Sequence, residues 1–99
     1  MDKFNIISWI FLSIAYGSQK EPIDYRGISQ IADGINHAIP NQKELQLSVK
    51  WLLTTGLITN VSKRFELTKF GSSIMETASA NEKTSMGLWK RLAKEFSGI

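Results

Sequence analysis

The stretch Trp51-Leu52-Leu53-Thr54-Thr55-Gly56-Leu57-Ile58-Thr59-Asn60-Val61-Ser62-Lys63-Arg64-Phe65-Glu66-Leu67-Thr68-Lys69-Phe70-Gly71 decides the fold. Its first part reads as the end of a helix. Gly56 stands where a left-handed terminator belongs, with Leu57 placed for the apolar contact beyond it. Leu57–Val61 and Arg64–Leu67 then read as two short strands, with the turn held somewhere in Asn60–Lys63. Thr68 is a capping residue for a new helix beginning at Lys69. Helix, hairpin and helix thus follow one another without a linker.

Upstream, Asn41 and Glu44 have the spacing of a capping box, and they open a helix over 41–55. Leu45, Val49, Leu52 and Leu53 form its expected buried stripe. Pro40 separates this helix from an earlier one over 27–38, because the residue before proline disfavours helical geometry. Ile28, Ile31, Ala32 and Ile35 mark the inner face of that earlier helix. Ile23-Asp24-Tyr25 alternates as a very short strand. Residues 4–16 form a first helix that is apolar almost all round, so it must be covered on more than one side. Downstream, a helix over 69–80 holds Phe70, Ile74, Met75 and Ala78. A last one over 81–97 carries Leu88, Trp89, Leu92, Ala93 and Phe96, with Lys83, Lys90, Arg91 and Lys94 on its solvated side. The expectation is a single domain over 1–99, mainly α with a small β-hairpin.

Composition removes several function classes. The chain has 99 residues, no cysteine and one histidine. That excludes disulfide scaffolds, thiol chemistry and two-histidine metal sites within one chain. No cofactor or metal is expected. His37 has Asp33 one turn away, but no nucleophile accompanies them, so no catalytic residues and no enzyme are expected. Gly17, Gly27 and Gly34 are too far apart for a phosphate-binding loop. The apolar run Ile6–Tyr16 is too short to span a bilayer. It has the look of a signal-peptide core, with Ala15-Tyr16-Gly17 like a cleavage site, but Asp2 cancels the positive charge of Lys3. A cytoplasmic protein without membrane association is the expectation.

The helix ending Thr55-Gly56-Leu57-Ile58, the short hairpin and the run Leu67-Thr68-Lys69-Phe70-Gly71 together resemble the winged-helix superfamily. They are similar to the segments found in regulators of the MarR and PadR types. Ile35-Asn36-His37-Ala38-Ile39-Pro40 looks like the equivalent run in small bacterial proteins of this architecture. The resemblance covers residues 4 to about 75. It implies a winged helix-turn-helix with additional C-terminal helices, a recognition helix over 41–55, a wing over 57–67, and a homodimeric DNA-binding regulator or architectural protein.

At about 100° per residue, the side of the third helix opposite its buried stripe carries Lys43, Lys50 and Thr54, with Gln46 at one margin. Lysines there suit phosphates or guanine edges, and glutamine suits an adenine edge. The hairpin adds Lys63 and Arg64, and Lys69 follows. The chain's net charge is only +3, yet Asn41–Phe70 holds five basic and two acidic residues, the whole of that excess. DNA contact is therefore expected at Lys43, Gln46, Lys50, Thr54, Lys63, Arg64 and Lys69.

Leu47 and Trp51 depart from that pattern. They stand at i and i+4 on a face that a groove-reading helix keeps polar, and an apolar pair there calls for cover. The surplus of apolar surface on the first and last helices adds Trp9, Leu12, Leu88, Trp89, Leu92 and Phe96 to the expected partner or dimer interface. The alternative function is a protein–protein interaction module that uses Leu47, Trp51 and the first and last helices without DNA.

Overall fold

Asp2 starts the first helix, its carboxylate accepting the Asn5 N–H at 2.9 Å. The computed structural model describes residues 2–99. Helix α1 (Lys3–Gly17) packs against three other helices, named below as α2, α3 and α5. Ile10, Phe11, Leu12 and Ile14 are fully covered. The all-round apolar sequence is thus what a central helix requires. Two buried serines satisfy themselves within α1. Ser8 donates to the Asn5 carbonyl at 3.1 Å and Ser13 to that of Trp9 at 2.8 Å.

Ile23 pairs with Phe65 through two backbone hydrogen bonds, each 2.8 Å long. The expected short strand is therefore a single bridge laid against the hairpin. Helix α2 runs Tyr25–Asn36. It begins two residues earlier than the apolar spacing alone places it, because the Asp24 carboxylate caps it by accepting the Gly27 N–H at 2.9 Å. It ends before His37, which turns left-handed at φ 53.

Helix α3 (Gln42–Thr55) has the full capping box. Asn41 accepts the Glu44 N–H at 2.8 Å, and Glu44 accepts that of Asn41 at 3.0 Å. Leu45, Val49 and Leu52 are buried as expected. Leu53 is not: it is 36% exposed, and Ser48, at 1%, takes its place. The buried arc centres between Leu45 and Leu52, which leaves Leu53 about 90° away while Ser48 lies about 50° away on the other side. Gly56 closes the helix at φ 82, and the Leu57 N–H donates back to the Leu52 carbonyl at 3.0 Å.

Strands β1 (Ile58–Val61) and β2 (Arg64–Leu67) pair antiparallel from Ile58↔Leu67 to Val61↔Arg64. The turn is only Ser62-Lys63, at φ 53 and 68. Two positive φ values across a two-residue loop give the type I′ geometry that suits strand twist. Asn60 lies in β1 and reaches over the turn, accepting the Lys63 N–H at 2.9 Å.

The Leu-Thr-x-x-Gly run joins the hairpin to helix α4 (Lys69–Asn81). The Thr68 hydroxyl donates to the Gly56 carbonyl at 2.6 Å and accepts the Gly71 N–H at 3.1 Å. Gly71 lies so near Leu57 that a Cβ there would run into the Leu57 carbonyl oxygen. This close approach fixes which side of α4 faces inward. Gly71 and Ala78 are buried, and Phe70, expected inside, is 48% exposed.

Helix α5 (Ser85–Ser97) starts four residues later than expected, since α4 extends through Asn81 and Thr84 supplies the cap to the Gly87 N–H at 3.0 Å. It lies on α1, with Trp9 and Trp89 rings 6.1 Å apart and Phe11 and Phe96 rings 5.1 Å apart. Both buried indoles are satisfied: Trp9 donates to the Ala32 carbonyl at 2.9 Å and Trp89 to that of Asn5 at 2.7 Å. The order is three helices, an antiparallel hairpin and two further helices, mainly α throughout. Among the described residues, no helix is long and apolar enough to cross a membrane.

Candidate nucleic-acid interface and the groove beside it

Helix α3 is positioned by its buried stripe, which packs toward α1 and leads into β1. That orientation turns Lys43, Gln46, Lys50 and Thr54 outward, and all four are exposed. Lys63, Arg64 and Lys69 are exposed as well. The tight turn places Lys63 at the hairpin tip and Arg64 at the first position of β2. None of these five cations joins an ion pair among the described residues, where the contact between Arg91 and Glu82 at 3.7 Å is the only one. Their charges are thus available to an outside anion. The arrangement offers donors for phosphates and base edges. Among the described residues, no group of His, Asp and Glu is spaced to hold a metal ion. His37 is a helix terminator whose N–H donates to the Asp33 carbonyl at 2.7 Å.

Lys43, Lys50 and Thr54 share their side of α3 with an apolar groove of about 560 Å³. Leu47 and Trp51 form one wall of it, and Ile6 and Ile7 of α1 form the other, with Lys3 near the open end of α1. Gln46 belongs to a neighbouring depression with Gln42, Lys43, Leu47 and Lys50. Lys63, Arg64 and Lys69 line neither hollow.

The two apolar residues on α3 have different fates. Trp51 is half-buried, its ring 5.8 Å from that of Phe4 and 5.5 Å from that of Phe96, so α1 and α5 supply the cover it needs. Leu47 is 56% exposed and has no such cover. The other six residues expected at a partner interface, Trp9, Leu12, Leu88, Trp89, Leu92 and Phe96, are buried in the core of the one chain. The α1–α5 packing covers nearly all of their surface within the chain. The interface expectation therefore narrows to Leu47 and the open edge of Trp51.

Sequence reasoning missed the α1 wall. Ile6 and Ile7 read as two more apolar positions on an apolar helix. No local signal marks them, since the groove exists only where α3 lies alongside this end of α1. No family model, no curated protein and no solved structure matches this chain.

Proposed function

We propose that this chain is a winged-helix DNA-binding domain, a transcriptional regulator or an architectural protein. In this reading α3 enters the major groove and the Ser62-Lys63 turn touches the backbone as the wing. One observation carries it: the chain's entire positive excess lies on α3, the hairpin and the start of α4, as exposed cations without ionic partners. The bridge from Ile23 to Phe65, which adds a third strand segment between α1 and α2, supports the same architecture. Lys50, Lys63, Arg64 and Lys69 neutralise phosphates in this mechanism, while Lys43, Gln46 and Thr54 face base edges.

The test is duplex affinity across a salt series. Four neutralised phosphates give a slope of log K against log salt of about −3.6, and replacing Lys63 and Arg64 by Ala makes it shallower by about 1.8. An affinity that ignores salt, or no binding to duplex DNA at low salt, overturns this reading.

A second reading is favoured by a specific observation. Leu47 lies exposed in an apolar groove, a surface that DNA does not need and that a protein partner does. In that reading the domain is a protein-association module anchored at Leu47 and Trp51.

A further inference from the structure

The groove between α1 and α3 has a definite chemical character. Its walls are aliphatic and aromatic, contributed by Ile6, Ile7, Leu47 and Trp51. Its rim carries Lys3, Lys43 and Lys50 against a single acid, Glu44, whose carboxylate is engaged by the Asn41 N–H at 3.0 Å. Its volume lies within the roughly 300–1,000 Å³ of natural ligand sites, and it lies beside a helix rather than inside the core.

Those features discriminate among occupants. A second copy joined two-fold through this face sets the rim of Lys3, Lys43 and Lys50 against another rim of the same net positive charge, a repulsive arrangement. Duplex DNA offers an apolar floor only the isolated methyl groups of thymines, too little to fill it. A segment with an apolar stripe flanked by acids matches both floor and rim. We propose that the groove receives an acidic amphipathic helix of another protein. Its apolar side chains, spaced i, i+3 or i+4 and i+7, pack against Leu47 and the edge of Trp51, and its Glu or Asp residues face Lys3, Lys43 and Lys50. The apolar contacts anchor the helix, while the exposed charges select the partner and speed its arrival. This deepens the protein-association reading by naming the partner's chemistry, and it does not require the DNA reading.

Fluorescence anisotropy with labelled designed helices of about five turns, ~18 residues, tests it. The panel carries Leu and Phe at i, i+3, i+7 or at i, i+4, i+7, flanked by Glu. Each peptide has one twin with Lys for Glu and one with Ala for the apolar residues. The expected result is that a Glu peptide binds about ten-fold or more tighter than either twin. Leu47→Glu, on an exposed position that leaves the circular dichroism unchanged, weakens it by a similar factor. The double variant Lys43→Glu/Lys50→Glu reverses the preference toward the Lys twin.

If the Lys twin binds the unsubstituted protein as well as the Glu peptide, and still depends on Leu47, the acidic partner is overturned while protein association at the groove stands. If no peptide shows binding that Leu47→Glu weakens, both fall. Self-association abolished by Leu47→Glu gives the groove to a second copy and overturns the proposal.

Discussion

Replacing Gly71 by Ala should destabilise the chain, whereas the same change at Gly34 should stabilise it. A Cβ on Gly71 lies 3.1 Å from the Leu57 carbonyl carbon and closer still to its oxygen. That carbonyl cannot swing aside freely, because it also accepts the Thr68 N–H at 3.1 Å. Relief requires α4 to lift off the base of the hairpin. Such overpacking costs about 1–3 kcal/mol. Lifting α4 also strains the Thr68 contacts to Gly71 and Leu57, each worth about 1 kcal/mol. Better helix propensity returns only about 0.5–1 kcal/mol. The expected net loss is about 2–4 kcal/mol. Gly34 lies in α2 with nothing within 4 Å of the added carbon, so only the propensity gain remains there. Urea unfolding followed by circular dichroism reads both. With an m value of about 2 kcal/mol/M, the Gly71→Ala midpoint falls by about 1–2 M and the Gly34→Ala midpoint rises slightly. A Gly71→Ala midpoint at or above that of the unsubstituted chain refutes the docking of α4 on the Leu57 carbonyl.

The hairpin turn offers a gain. Ser62 and Lys63 both hold positive φ, which costs an L-residue about 1 kcal/mol or more, so Ser62→Asn/Lys63→Gly should raise stability by about 1–2 kcal/mol in the same urea assay. A destabilised variant means that the turn is not type I′. Trp51 and Leu47 should separate in the same way. Trp51→Ala removes the ring packed on Phe4 and Phe96 and should cost about 2 kcal/mol, while Leu47→Ala should cost within about 0.5 kcal/mol. Equal losses would show that Leu47 has cover within the chain.

Local signals carried most of the fold. The capping box at Asn41 and Glu44, the terminator Gly56 and the cap Thr68 each act over three or four residues, and each stands where the residue types place it. What escaped were positions decided by neighbours distant in sequence. Leu53 lost its buried place to Ser48 because the packing of α3 on α1 sets the centre of the arc. Phe70 turned outward because the Gly71 approach to Leu57 rotates α4. The start of α2 was obscured because Asp24 serves as a cap immediately after Ile23 has paired with Phe65. In the candidate site, the exposure of Lys43, Gln46, Lys50 and Thr54 followed from helical periodicity. The groove did not, since its second wall comes from α1, more than thirty residues earlier.

The basic surface and the apolar groove are not independent features. Lys43 and Lys50 project from the outer side of α3 and also stand at the rim of the groove. An acidic helix seated there neutralises two of the five cations that the DNA reading needs between Asn41 and Phe70. It leaves Lys63, Arg64 and Lys69, which line neither hollow. Under the two proposals together, Lys63, Arg64 and Lys69 keep a weak, sequence-independent grip on phosphates while the groove's occupant takes away Lys43, which faces a base edge, and Lys50, which neutralises a phosphate. Two ligands that need the same pair of lysines must oppose one another, and by linkage each weakens the other's binding by the same factor. The exposed Leu47 then has a reason to stand on the face that the DNA reading assigns to the major groove: it gives a protein partner far more apolar contact than a thymine methyl could draw from it.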